Sequence, residues 1–307
     1  MIRYILERLL QSIVSLIGVT IIVFAMVNLT GDPSLVMLPE DATAEQIAMV
    51  RHELGLDRPL VVRYLQYLGG LLQGDLGTSI RGLASVPVGK IIAERLPATL
   101  ELGAAAVFLT FLVGIPLGVY AGYWKDSPLD KGARIFAVLG QSAPPFWVGI
   151  ILIVIFSIHL GWLPAGGRGG LLHIILPAST MAWASIAGVT RLVRSNLLET
   201  LDTDYVRFCR IKGQSETNVV WKHGLRNAGI PVMTFSAIIM ASLITGSVIT
   251  ETIFTWPGLG KLLIDSIGFR DLPVIQGCIL VFAAVYLALN LAVDLLYAYL
   301  NPRVRVG

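Results

Sequence analysis

Six apolar runs, each long enough to cross a hydrocarbon core about 30 Å thick, leave this chain few folds to choose from. They fall near residues 9–29, 98–123, 134–157, 171–191, 230–251 and 274–299. Inside a bilayer the backbone must satisfy its own N–H and C=O groups, so runs of this length are read as helices. With 55% hydrophobic and only 14% charged residues, the 307-residue chain falls well below the share of about 25% charged residues usual in soluble domains. The prediction is an all-α, polytopic membrane protein with six transmembrane helices. The first run follows Arg3 and Arg8 in the manner of a signal peptide. It is too long for one and lacks a small-x-small cleavage site, so it is kept as a span.

The basic residues between the runs set the orientation. Arg3 and Arg8, then Lys125, Lys131 and Arg134, then a basic stretch at 204–231, then Arg303 and Arg305 all mark one side, which the positive-inside rule makes cytoplasmic together with both termini. The net charge of +3 is small and belongs to these loops, so it argues orientation and not nucleic-acid binding. Cys209 and Cys278 fall in a basic loop and in the last apolar run, a placement that does not suit a disulfide.

The chain therefore divides into an N-terminal span at 1–29, an insertion at 30–97 on the outer side, and a five-helix core at 98–303. An insertion of that length needs structure of its own. Thr43 with Gln46 forms a capping box ahead of Ile47, Val50 and Leu54. Asp57 and Pro59 can start a second helix with Leu60, Tyr64, Leu68 and Leu72 on one face. The insertion reads either as a cap over an outer mouth that meets a partner protein, or as a solvated connection.

The stretch 204–231 is polar, basic and glycine-broken. Arg207, Arg210, Lys212, Lys222 and Arg226 stand against few acids. Arg210 and Lys212 suit the negative end of a short helix, Gly213 its left-handed cap, and Ser215 with Glu216 the start of a second. The expected product is a helix-turn-helix peg below the membrane.

Small and polar residues mark the spans. Gly114, Pro116, Gly118 and Gly122 crowd the second and invite close helix approach and a bend. Gln141, Ser142, Pro144 and Pro145 break the third, which suits a kink or a wall facing water. Ser179, Thr180 and Ser185 in the fourth, and Ser242, Thr245, Gly246 and Thr250 in the fifth, form polar stripes. With Gln141 and Ser142 they are the candidates for a translocation route, although the same stripes would also let helices pack. Trp256, in an outer loop, is assigned to the interface belt.

Several chemistries are absent from the sequence. No G-x-x-x-x-G-K-[ST] phosphate loop exists: Gly89-Lys90 precedes Ile91 and has Ala84 at the first glycine position, and Gly260-Lys261 precedes Leu262. His52, His159, His173 and His223 show no ligand spacing, and no G-x-S-x-G occurs. Glu101, His173, Glu251 and Asp294 lie near the expected span ends, so an ion-driven carrier lacks its usual intramembrane titratable groups. No catalytic residue, metal site or cofactor is expected on this chain.

Motifs along nearly the whole sequence resemble one family. They are GDP at 31–33, LGLDRPL at 54–60, GDLG at 74–77, ERLPATLEL at 94–102, TWPGLG at 255–260 and NLAVDLLYAYLNPR at 290–303. The basic stretch adds Arg210, Lys212, Gly213, Ser215, Glu216, His223, Leu225, Arg226, Asn227 and Pro231. Together they resemble the membrane subunits of binding-protein-dependent ABC importers, in particular the oligopeptide and dipeptide permeases. Cys209 and Ile211 depart from the small residues usual there.

The resemblance implies a non-catalytic permease subunit in a bacterial inner membrane, working with a homologous permease subunit as a heterodimer. Two ATP-binding subunits carrying ATP and Mg would engage the coupling loop at Asp204, Tyr205, Arg207, Arg210, Lys212, Gly213, Ser215, Glu216, His223 and Arg226. A periplasmic solute-binding protein would deliver the solute. Di- and oligopeptides are the first expectation, with glutathione, nickel chelates or sugars as alternatives. The rival class is a self-sufficient carrier or channel in which the basic loop only fixes topology.

Overall fold

The computed structural model describes residues 2–30, 43–53, 55–80, 86–229, 232, 235, 239 and 247–300. Among the described residues the chain is helical almost throughout, with one isolated β-bridge between Thr78 and Pro87. It forms two compact units, Met1–Pro97 with Gly258–Leu291, and Ala98–Pro257 with Ala292–Gly307.

The first unit holds α1 (Ile2–Thr30), α2 (Ala44–Glu53), α3 (Leu60–Leu72), the start of α4 (Val88–Tyr123), α10 (Leu259–Gly268) and most of α11 (Leu272–Leu300). The capping box forms as expected: Gln46 N donates to Thr43 Oγ1 at 3.3 Å, and Thr43 N donates to Gln46 Oε1 at 2.9 Å. Asp57 does not cap α3. Its carboxylate lies 2.8 Å from His52 Nδ1, a hydrogen bond that holds its pKa below the usual carboxylate value, and Pro59 takes the cap position instead. The expected single face of α3 is also divided, because Tyr64 packs on α1 while Leu60 and Leu72 remain exposed.

A small core of Val88, Ile92, Leu259, Val274 and Cys278 closes this unit. Asp271, buried beside it, accepts from Ser79 Oγ and from Ile80 N at 3.3 Å. The sequence reading placed no helix at 259–268. Leu259, Leu262 and Leu263 are apolar at helical spacing, but ten residues are too few to stand out as a span.

The second unit contains the rest of α4, α5 (Pro128–Ser142), α6 (Pro145–Leu152), α7 (Leu171–Leu201), α8 (Asp204–Ile211) and α9 (Ser247–Ile253). Beyond α6 the chain continues as a π-helical turn, Ile153–His159. The core is built on Leu102, Ala106, Val119, Ala182, Val189, Val193 and Leu197, with Trp256 among them. Ser127 starts α5 by accepting from Asp130 N at 3.2 Å, with Pro128 at the first helical position, where its missing N–H costs nothing.

Among the described residues, four helices are long and apolar enough to cross a membrane: Ile5–Leu29, Val88–Tyr123, Leu171–Leu201 and Leu272–Val293. The expected third span is not a single straight helix. Pro128–Ser142 and Pro145–His159 meet at a bend of 112°. The cause is local: a residue before proline is pushed out of the α region, and Ala143 and Pro144 both precede one and take ψ values of 126° and 134°. The expected fifth span, 230–251, lies mostly outside the described residues. No break interrupts α4 at Pro116.

The glycines of the second expected span do what close packing requires. A Cβ on Gly118 would sit 2.7 Å from Val193 Cβ and 2.8 Å from the Thr190 carbonyl oxygen, so α4 and α7 touch backbone to backbone. Trp256 corrects its assignment to the interface belt. It is fully buried, and its Nε1 donates to the Ala98 carbonyl at 2.8 Å. Trp256 N donates to Glu251 O at 2.8 Å, and Thr255 at φ 50° turns the chain inward there. Trp256→Ala should cost about 3–5 kcal/mol, the range for truncating a buried aromatic residue, and show as a fall in melting temperature of the purified transporter.

Candidate functional site

The basic stretch folds as the sequence grammar required. Lys212 caps α8, and Gly213 follows at φ 74°, a conformation that costs a side chain about 1–2 kcal/mol and a glycine almost nothing. Gly213 N donates to Arg210 O at 3.0 Å and Gln214 N to Cys209 O at 3.3 Å, which closes the helix end. Val219 N bonds Ser215 O at 2.9 Å and opens the second helix. Its middle, Asn218–Gly224, is wound with the wider π-helical pitch, which the sequence reading did not foresee.

Two side-chain pairs pin the helices to each other. Tyr205 Oη lies 2.7 Å from His223 Nδ1, and Arg210 Nε donates to Glu216 Oε1 at 2.9 Å. Val206, Cys209 and Val219 make a small core between them, so Cys209, the departure from small residues, fills the seam. Arg207 reaches Asp204 at 3.4 Å, while Lys212 Nζ sits 4.5 Å from the centre of the Phe208 ring. Lys222 and Arg226 are exposed.

The face opposite that core is apolar as well. Tyr205, Phe208 and Ile211, spaced at i, i+3 and i+6 on α8, are 49%, 54% and 82% exposed. Sequence reasoning assigned no role to Phe208 and treated Ile211 only as a departure. A helix whose two faces are both apolar, while only one meets the chain's own core, was the available signal.

The stretch is fastened to the membrane helices. Trp221 meets Tyr120 edge-on at 5.9 Å between ring centroids, and Tyr120 stacks on Trp124 at 5.2 Å. Gly224 lies against Leu197 near the end of α7, where a Cβ would be 3.0 Å from Leu197 Cδ1. One turn above, Arg194 Nε and Nη2 donate to the two carboxylate oxygens of buried Asp130 at 2.5 and 2.9 Å, joining α7 to the start of α5. The sequence reading used none of these residues. The aromatic residues and the charges were legible as types, but Tyr120 and Trp221, and Asp130 and Arg194, lie tens of residues apart.

The candidate route residues that are described differ in exposure. Gln141 and Ser142 are exposed, with Ser142 Oγ donating to its own helix at Val138 O. Ser179 and Ser185 are half-buried. Thr180 and Thr250 are buried, and Thr180 Oγ1 donates to Leu176 O at 2.9 Å beside Gly149. Ser242, Thr245 and Gly246 lie outside the described residues. Glu251 is fully buried and accepts from Thr99 Oγ1 at 2.8 Å, while Glu101 pairs with Arg168 at 2.5 Å. Among the described residues no cluster of His, Cys, Asp or Glu could hold a metal ion.

Residues 114–306 match the family described as the binding-protein-dependent transport system inner membrane component, and residues 1–103 match its N-terminal companion. This chain belongs to that family. The permease is 43% identical over 306 residues to the glutathione transport system permease protein GsiC of Salmonella typhimurium, covering 99% of both chains. It is 44% identical over 310 residues to a putative peptide transport system permease protein of Brucella abortus, covering 98% of both. In fold it resembles an inward-facing structure of the MetNI methionine ABC transporter, with a TM-score of 0.58 over 69% of this chain and 96% of that one at 17% identity. It is thus the membrane subunit of a binding-protein-dependent ABC importer, a class that implies ATP-binding and solute-binding partners.

Proposed function

We propose that this permease moves short peptides inward across a bacterial inner membrane, powered by ATP hydrolysed on separate subunits. The observation that carries the coupling half of this reading is the exposed ridge of Tyr205, Phe208 and Ile211 on α8, flanked by Arg207 and Lys212, with Arg226 exposed on the second helix. An apolar stripe left open on a helix otherwise seated on its own core suits insertion into a cleft of a nucleotide-binding subunit. Asp204, Arg210, Ser215, Glu216 and His223 hold the ridge in shape, and Gly213 makes the turn behind it.

In this reading both termini and the 204–231 stretch are cytoplasmic, the 30–97 insertion faces the periplasm, and a homologous permease completes a heterodimer. Two ATP-binding subunits hold the nucleotide and Mg, and this chain contributes no catalytic group. Closure of those subunits displaces α8, and α7, continuous over 31 residues or about 46 Å, carries the displacement into the membrane. The switch needs nucleotide to favour one conformation over the other.

Peptides are supported as the cargo class by the relatives' names. Glutathione is itself a tripeptide, so the two names describe one chemistry of small zwitterionic amides. Nickel chelates and sugars remain the other cargoes that this type of permease serves by resemblance. Binding assays on the cognate solute-binding protein test the cargo, and tight binding of a sugar alone would overturn it.

The coupling reading has its own test. Gly213→Val introduces a β-branched residue at φ 74° with no atom near enough to clash, so it strains the turn by about 1–2 kcal/mol and leaves the fold intact. The assembled transporter is expected to keep its subunits and lose most substrate-stimulated ATPase activity and uptake. Normal coupling in that variant would sink the reading.

A further inference from the structure

The helix α3 belongs to the insertion that the sequence reading places in the periplasm, yet its neighbours are membrane residues. Thr20 Oγ1 lies 2.9 Å from Tyr64 Oη, and Phe24 meets Tyr64 and Tyr67 with ring centroids at 5.3 and 5.8 Å. Both Thr20 and Phe24 are inside the span Ile5–Leu29. At 1.5 Å per residue its 25 residues measure about 37 Å, which overshoots a 30 Å hydrocarbon core by about 4 Å at each end. Counted back from Leu29, Phe24 then lies about 4 Å and Thr20 about 10 Å below the outer boundary of the hydrocarbon. A helix packed against both shares that depth.

The side chains of α3 divide as such a depth demands. At 100° per residue, Tyr64, Tyr67 and Leu71 fall within about 60° of each other and form the side toward α1. Val61, Leu65, Leu68 and Leu72 occupy the next arc of about 60°, and Val61, Leu65 and Leu72 are 70%, 61% and 90% exposed. Arg63, Gln66 and Gln73 share the remaining side. On α1 itself, Ile17, Ile21 and Ile22 are likewise exposed. With 13 residues, or about 20 Å, α3 cannot cross the membrane.

We infer that α3 is a half-embedded helix lying in the leaflet into which α1 exits, its Val61–Leu65–Leu72 arc against lipid acyl chains and its Arg63–Gln66 side toward the headgroups. Amphipathic helices bury their apolar face about 5–10 Å into this boundary, which is the depth that the contacts with α1 give. Partition of three exposed aliphatic side chains from water into acyl chains accounts for an arc that would otherwise be uncovered in the periplasm. The inference rests on α1 being a membrane span and not on the coupling role of α8, so each can fail alone.

The test is a depth measurement on the assembled transporter in phospholipid vesicles. Cys209 and Cys278 are replaced by serine and alanine, and Leu65→Cys, Leu72→Cys and Gln66→Cys are labelled singly with a nitroxide. Collisions with oxygen, which concentrates in acyl chains, are compared with collisions with a polar nickel chelate. Labels at 65 and 72 are expected to favour oxygen several-fold over the chelate, and the label at 66 to favour the chelate. Equal chelate access at all three positions would mean a solvated cap and overturn the inference. Shielding of 65 and 72 from both reagents would mean a protein partner on this face and overturn it as well. Uptake is measured alongside to confirm that the labelled complexes are assembled.

Discussion

Asp130→Asn is expected to destabilise the permease by about 3–5 kcal/mol, the cost of removing one partner from a buried ion pair. Asp130 is fully buried and gathers Arg194 through two nitrogens, the Asp126 amide at 2.9 Å and, farther off at 3.7 Å, Arg134. Without the carboxylate charge, the Arg194 guanidinium is left mostly enclosed, with only the charge of Asp126 acting on it from farther off. The loss is large against a net stability of about 5–15 kcal/mol. It should appear as a sharply lower yield of assembled transporter and a lower melting temperature in detergent.

Arg194→Lys keeps a charge but not the two-pronged geometry, so it should fall between wild type and Asp130→Asn. The double change Asp130→Asn with Arg194→Met removes the stranded charge and should recover part of the loss. That non-additivity marks the pair as the cause. A single Asp130→Asn variant melting with wild type would show that the pair holds nothing together.

Gly118→Leu is expected to be among the most disruptive single substitutions in the described membrane helices. Even the first added carbon would meet Val193 Cβ at 2.7 Å and the Thr190 carbonyl at 2.8 Å, and a backbone oxygen cannot rotate away. Gly118→Ala alone should cost about 1–3 kcal/mol, and leucine more, because α4 and α7 must separate to admit it. Gly140 is comparable, with a Cβ that would lie 2.5 Å from Ala187 Cβ. Gly132→Ala is the control: nothing lies within 4 Å of that position, and removing a glycine from a helix interior should stabilise by about 0.5–1 kcal/mol. Thermal unfolding of the three variants checks the order. Equal melting temperatures for Gly118→Leu and Gly132→Ala would contradict the close approach of α4 to α7.

Much of this architecture was written locally in the chain. The apolar runs fixed the all-helical class, because a span must satisfy its backbone within itself whatever its neighbours do. The capping box at Thr43, the turn at Gly213 and the break at Pro144-Pro145 were equally legible, since each depends on the conformational preference of one or two residues. The two short helices of the 204–231 stretch followed from the same local grammar.

Pairings between distant residues were settled only in three dimensions. Trp256 carried the signature of an interface residue and proved to be buried against Ala98, because the turn at Thr255 aims it inward. Asp130 and Arg194 stand 64 residues apart, and no pattern in the sequence joins them. The stripe Thr180–Ser185 was ambiguous between route and packing, and burial of Thr180 at the contact with α6 follows from which way α7 turns. The outward face of α8 and the depth of α3 belong to the same class. Periodicity tells which residues share a helix face, whereas what that face meets depends on helices whose positions the whole fold sets.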